Sequence, residues 1–351
     1  MTDKHSRDSS RTLYAEEVEY VMENGRQYCG DYFMPIDQIE QTRQYVLHQV
    51  YLKTFELQLT TVPLHNPRYI LDIGTGVGEW AIGMAEQYPD CEVFGTDIAP
   101  IQPTDQVPFN VEFHIENAED EWIRPPDTID LVHIREMTGA FSDWSFVYQQ
   151  AFACIKPGGW IEVVDFDDVL GNETVINFFP ADSAVRTVIP GIYEAARKGG
   201  RPRGIEHMKH SRLEEAGFVD ITDSVHYLGV GPQENGGFST SWLFAVVTGV
   251  EATCLRSLTT GLGWDPDYAR GLCAKVAEEI KALAEDPSRA KGFSIHVRVL
   301  KARKPLVGEA VERRWTTSVA LGEDGEIDYS GGDDSTIGSH SGNTLRSEDT
   351  V

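Results

Sequence analysis

The tightest constraint on this chain is the run Ile70-Leu71-Asp72-Ile73-Gly74-Thr75-Gly76-Val77-Gly78, followed nineteen residues later by Asp97. A short apolar strand there enters a turn that calls for glycine, and a helix leaves it. Gly74, Gly76 and Gly78 supply positive φ angles and bare backbone against which a ligand can lie. Tyr69 to Ile73 reads as a buried strand. Glu79 to Tyr88, with Trp80, Ala81, Met84 and Ala85 at helical spacing, reads as the helix after it, ended by Pro89-Asp90. A second strand, Cys91 to Thr96, delivers Asp97 at its carboxyl end, where a carboxylate can accept both hydroxyls of an adenosine ribose. Ile98 beside it offers an apolar plate for an adenine, and Asp72 belongs to the same candidate cofactor set.

Glycine spacing and a downstream acid also fit a nicotinamide enzyme, and two further features separate the cases. After a third strand, Val111 to Ile115, comes Glu116-Asn117-Ala118-Glu119-Asp120, where Asn117 can meet an adenine amino group and the Ala118 backbone a ring nitrogen. Lys156-Pro157-Gly158-Gly159-Trp160 then closes a helix and opens the strand Ile161 to Phe166. Neither has a part in a dinucleotide site, and both resemble Class I methyltransferases. The expected cofactor is therefore S-adenosylmethionine (SAM). The competing readings are a ligand-free structural turn at the glycines, a solvated loop acid at Asp97 and a turn residue at Asn117.

A chain of 351 residues, 41% hydrophobic, can bury one large core with an inserted cap. Its apolar runs fall short of the roughly 18 residues of a membrane span, and Met1 to Arg11 is polar, so a soluble protein of the cytoplasm or nucleus is expected, without membrane association. The five cysteines form no Cys-x-x-Cys pair and the ten histidines no helical pairing, so reduced thiols and no metal are expected. The net charge of -26 opposes direct nucleic-acid binding, which depends on lysine and arginine neutralising phosphates.

Alternating strands and helices from Tyr69 to Phe166 imply an α/β fold with a parallel, Rossmann-like sheet, ligands lying beyond the carboxyl ends of its strands. The expected organisation is a disordered 1–12, an N-terminal helical lid over 13–66, a core over 67–305 and an acidic, disordered tail over 306–351. Within the lid, helices are expected at Leu13 to Arg26 and Ile36 to Leu59. Asp143 reads as a helix cap, and the stretch after Phe166 as irregular through Pro180, Pro190 and Gly199-Gly200. Gly217 stops a helix over Ser211 to Phe218. Strands at Val219 to Val230 and Phe293 to Lys301 form a last hairpin. Helices at Ser239 to Leu262 and Asp265 to Ala284 form its insertion, a cap over about 238–290. From Leu306 the chain carries ten Asp or Glu against three Arg, a composition that cannot bury enough surface to order itself, a short piece near Trp315 excepted.

The order of motifs is similar to the fungal LaeA-like methyltransferases. The segments that carry the resemblance are Tyr32-Phe33-Met34-Pro35 with Asp37, Glu40 and Arg43; the Leu71 to Gly76 loop; Gly95-Thr96-Asp97-Ile98-Ala99-Pro100-Ile101-Gln102-Pro103; Ala118 to Trp122; Lys156 to Glu162; and Lys301 to Pro305. The resemblance implies a Class I seven-stranded fold, SAM as cofactor and work in fungal secondary metabolism. That work is methylation of a small-molecule acceptor or regulation through protein partners. Val77 and Glu79 depart from the branch pattern, as does the acidic tail, which weakens the regulatory reading.

Because SAM carries its own reactive methyl group, the protein chiefly positions the acceptor and removes its proton where needed. His133, near the end of the strand Ile129 to Ile134 and expected to face the cleft, is the candidate base, with a hydrogen-bonded structural histidine as the competing reading. Glu136 and Asp165 are candidates for orienting an acceptor, and Tyr32 for reaching the cofactor carboxylate from the lid. Trp242, Phe244 and Trp264 line either an acceptor pocket or the core of the cap. The leading expectation is methyl transfer to a small-molecule intermediate. The alternatives are a regulator acting through nuclear partners and a non-methylating reaction on the same fold.

Overall fold

The computed structural model describes residues 18–167, 176–229 and 238–309. The expectations for 1–12 and for the tail from 310 onward, including Trp315, lie outside the described residues.

The described chain opens on a hairpin. Strand β1 (Tyr20–Glu23) pairs antiparallel with β2 (Arg26–Cys29). Between them Asn24 and Gly25 have φ of 50° and 75°, the two left-handed positions of a type I′ turn. The helix expected over Leu13 to Arg26 is therefore not formed from Tyr20 onward: two consecutive left-handed residues break a helix and supply the twist that a tight hairpin needs. Helix α1 (Gln38–Thr54) follows, with Asp37 accepting from the Glu40 amide at 3.1 Å as its N-cap. It stops short of the expected Leu59 because Glu56 and Leu57 turn left-handed, at φ of 53° and 67°.

The core then runs β3 (Tyr69–Ile73), α2 (Glu79–Gln87), β4 (Glu92–Asp97), β5 (Val111–Ile115), β6 (Ile129–Arg135), α3 (Trp144–Cys154) and β7 (Ile155–Phe166). It continues with α4 (Val185–Lys198), α5 (His210–Ala216), β8 (Val219–Gly229), α6 (Phe238–Leu262), α7 (Pro266–Glu285) and β9 (Ser294–Arg303). Seven strands form one sheet in the order β5-β4-β3-β6-β7-β9-β8. Pairs from β5 to β7 are parallel, and β9 runs antiparallel to both neighbours. Chain order reverses between β3 and β6, which opens a crevice at the carboxyl ends of those two strands.

Two local differences have clear causes. Strand β7 begins at Ile155 rather than Ile161, because Ile155 pairs with Ile129 before Lys156 to Gly159 bulge out and pairing resumes at Trp160 with Leu131. Helix α4 occupies part of the stretch read as irregular. Pro190 cannot donate to the Arg186 carbonyl, yet Val185, Val188, Ile189, Ile192 and Ala195 bury one continuous face, and that packing outweighs the lost bond. Asp143 caps α3 by accepting from the Phe146 amide, and Gly217 ends α5 at φ 104°, as expected from the sequence.

Consecutive residues of β3 bury on opposite faces. Ile70 packs with Trp80 and Met84 of α2, and Leu71 with Val147 and Tyr148 of α3. Each such side chain contributes roughly 1.5–3 kcal/mol by leaving water, and burial of both faces fixes the strand's position. A third cluster joins α1, α4, α6 and α7 through Leu47, Val188, Leu255 and Val276. Each of the five cysteines is a buried free thiol. Among the described residues, no helix is long and apolar enough to cross a membrane.

Candidate functional site

At the carboxyl ends of β3 and β4 the glycine loop is held by backbone and acid. The Gly74 and Thr75 amides both donate to the Thr96 carbonyl at 2.9 Å. The Gly76 amide donates to Asp97 Oδ2 at 2.8 Å, and the Ala99 amide to Asp97 Oδ1 at 3.0 Å. Gly74 and Gly76 have φ of 70° and 56°. A Cβ on Gly76 would lie 2.5 Å from Gln44 Oε1, and one on Gly74 would strike the Met137 sulfur. The loop thus admits a ligand against bare backbone only while these positions stay glycine.

Burial pushes the Asp97 carboxyl up to about 6, aided by the nearby Asp72 charge, although the Ala99 and Gly76 amides pull the other way. This sets a pH window. The folded chain takes up a proton before the unfolded chain does, so Asp97's contribution to stability is full below the unfolded pKa of about 4 and is lost as pH rises through about 6. Binding of a diol by the carboxylate has the opposite sign, because a protonated acid accepts with one oxygen fewer. Affinity for SAM is expected to be level above about pH 6.5 and to fall by up to roughly tenfold per unit below pH 6, as calorimetry across pH 4.5–7.5 would measure. A flat profile would remove Asp97 from the ribose site.

Behind the loop, Asp72 is buried and divides its oxygens. Oδ2 accepts from the Thr75 hydroxyl at 2.7 Å, and Oδ1 lies 2.7 Å from His133 Nδ1. The His133 ring, 1% exposed, stacks on Trp80 at 3.7 Å between centroids, and its Nε2 is buried without a hydrogen-bond partner among the described residues. Trp80 in turn donates from Nε1 to the Leu59 carbonyl at 2.6 Å. His133 is not on the cavity wall. Its ring holds Asp72, which holds Thr75 in the loop. The cleft-facing orientation expected for His133 therefore gives way to a position deeper in the sheet, below the strand end.

In front of the loop is a cavity of about 460 Å³. Its roof is a stripe of α1 at helical spacing, Glu40, Arg43, Gln44, Leu47, His48 and Tyr51. Arg43 pairs with Glu40 through two bonds of 2.8 Å, and Gln44 Oε1 accepts from the Val77 amide at 3.2 Å. At the far end the Tyr51 hydroxyl donates to Glu136 Oε1 at 2.6 Å. Glu136 holds a left-handed φ of 58°, and burial raises its carboxyl, although the Arg43 charge opposes the shift. Left-handed backbone in a non-glycine residue costs of order 1–3 kcal/mol and persists where the surroundings impose it. Apart from Glu40 and Arg43, which the resemblance named, this roof was not read from the sequence. Its signal was there: polar residues recur at i, i+3, i+4, i+8 and i+11 where a buried face calls for apolar ones.

Tyr32, Asp72, Gly74, Gly76, Asp97, Ile98, Asn117 and Ala118 all line the cavity; Gly78, which opens α2 at φ 82°, does not. Asn117 is exposed, and its Oδ1 accepts from the Glu119 amide at 3.1 Å, closing its own turn. The Tyr32 carbonyl accepts from Arg256 at 2.8 Å, and burial beside the Asp97 charge pushes its hydroxyl up. Asp165 is buried against His207 at 3.1 Å, away from the cavity wall. Trp242 is buried in the cap core, Trp264 packs against that core, and Phe244 is 43% exposed; none of the three lines the cavity.

A family model described as a methyltransferase domain matches residues 41–219. Methyltransferase pytC of Aspergillus terreus is 35% identical over 285 residues, 78% of this chain and 86% of that protein. Secondary metabolism regulator LAE1 of Cochliobolus heterostrophus is 33% identical over 274 residues, 74% of this chain and 88% of its own length. Protein-methionine methyltransferase laeA of Emericella nidulans is 30% identical over 325 residues, covering 87% and 80%.

Proposed function

The chain belongs to the methyltransferase-domain family, in its fungal LaeA-like branch, and is a SAM-dependent enzyme; from this premise we propose that it methylates a small-molecule intermediate of secondary metabolism. The observation that carries the reading is one cavity bounded on one side by the glycine loop and Asp97 and on the other by the polar stripe of α1. A bound cofactor and a polar acceptor can share such a space.

When bound, SAM supplies a methyl group on a positively charged sulfonium. In this reading Gly74 and Gly76 keep backbone bare for it, Gly78 supplies the left-handed turn into α2 behind them, Asp97 accepts its ribose hydroxyls and Ile98 packs on its adenine. Asn117 and Ala118 meet the adenine edge through the turn they form, and Tyr32 meets the amino-acid end from the lid. His133 acts through Asp72 and Thr75 as a positioning residue. Glu136, half-buried and bonded to Tyr51, is the cavity group suited to hold or take the acceptor's proton.

The test is metabolic. Deletion of the gene is expected to remove one compound and accumulate a precursor lighter by one CH₂, read by mass spectrometry. The relative named as a regulator supports a second reading, in which the same fold acts through protein partners. Loss of many unrelated metabolites without a demethylated precursor would favour that reading, and an unchanged metabolite profile would remove both.

A further inference from the structure

We propose that Arg135, with His48, forms a receptor for a carboxylate inside this cavity, an inference that rests on the methyltransferase reading above. Arg135 closes β6 and lines the cavity beside Glu136. The other arginines on the wall are already neutralised, Arg43 by Glu40 and Arg201 by Glu119. Among the described residues, no carboxylate stands within ion-pairing distance of Arg135. Its contacts are His48 Nδ1, 3.3 Å from Nη2, and the Tyr51 ring, whose centroid lies 4.7 Å from the guanidinium carbon.

The chemistry of these contacts leaves the cation short of a counter-charge. A guanidinium can only donate, so His48 Nδ1 must accept and the imidazole proton sits on Nε2. Burial, followed by the Arg135 charge, pushes His48 down to about 3, so the ring is neutral at physiological pH and brings no second charge. The adjacent acid, Glu136, feels the Arg135 charge without forming an ion pair with it, and its Oε1 accepts from the Tyr51 hydroxyl instead. A half-buried guanidinium, stacked on an aromatic face and held from one edge, is preorganised for a planar two-oxygen anion. Two molecules can bring that carboxylate: the cofactor, in its amino-acid tail, or the methyl acceptor, as an organic acid.

Calorimetry distinguishes the sources. The probes are S-adenosylhomocysteine, 5′-methylthioadenosine, which has the same nucleoside without the carboxylate, and benzoate added to protein saturated with S-adenosylhomocysteine. If the cofactor's carboxylate is held, the native protein prefers S-adenosylhomocysteine to methylthioadenosine by roughly tenfold or more, and Arg135→Gln erases that preference while binding methylthioadenosine as before. If the acceptor's is held, Arg135→Gln leaves both nucleosides unchanged and lowers benzoate affinity by roughly tenfold or more. The inference is overturned if Arg135→Gln changes neither the nucleoside preference nor benzoate binding, or weakens methylthioadenosine as much as S-adenosylhomocysteine. A native protein that binds neither nucleoside overturns both this inference and the reading beneath it. Binding of the nucleosides, with neither their relative affinity nor benzoate binding responding to Arg135→Gln, overturns this one alone.

Discussion

Asp97→Ala is expected to lower affinity for SAM on the order of 100-fold, with the fold retained. Two hydrogen bonds to a charged acceptor, each worth about 1.5 kcal/mol or more, sum to about 3 kcal/mol, which converts to that factor. The substitution acts twice. It removes the acceptor for a diol and also the anchors of the Gly76 and Ala99 amides, so the loop loses the clamp that fixes its shape. Calorimetry gives the affinity, and circular dichroism separates lost binding from lost structure. A folded variant with native affinity would end the ribose assignment.

Trp80→Ala is expected to cost about 3–5 kcal/mol of folding stability, the range for removing a large buried aromatic side chain. Trp80 is 1% exposed, packs on Ile70 and Met84, stacks on His133 and ties α2 to Leu59 through its indole N–H. Urea unfolding would measure the change. Trp80→Phe keeps the stack and most of the apolar volume and loses the bond to Leu59, so about 1–2 kcal/mol is expected there. A loss below 1 kcal/mol in the alanine variant would mean that the site collapses around the gap and that the His133 stack carries little.

The parts of this molecule legible in its sequence are those with one physical solution. Gly74, Gly76 and Gly78 each have positive φ, and strands β3 to β6 fall where apolar runs are bounded by turn residues. The two helices between β8 and β9 show helical spacing over some twenty residues each, enough to outvote local ambiguity. Failures came where two signals competed. At Glu23-Asn24-Gly25-Arg26 a charged, helix-like composition hid an Asn-Gly pair, the strongest short hairpin signal there is. At α4 the proline was given more weight than the apolar face. His133 was expected to face the cleft, but β6 is buried over nearly its whole length, so residue type says nothing of which side chain reaches the crevice. The roof of the cavity was hardest to read, since a helix that covers a polar cavity shows no amphipathic contrast.

In the last hairpin Gly229 stands directly opposite Ser294. The main chain therefore departs from the sheet and re-enters it at one place, with α6 and α7 strung between. A segment hung in this way can be lengthened, shortened or exchanged while both of its ends stay pinned, and closing a loop twice as long costs only about 0.6 kcal/mol. The architecture thus separates inheritance of the engine from inheritance of the canopy. Descendants of one ancestor can trade canopies without renegotiating the seven strands beneath.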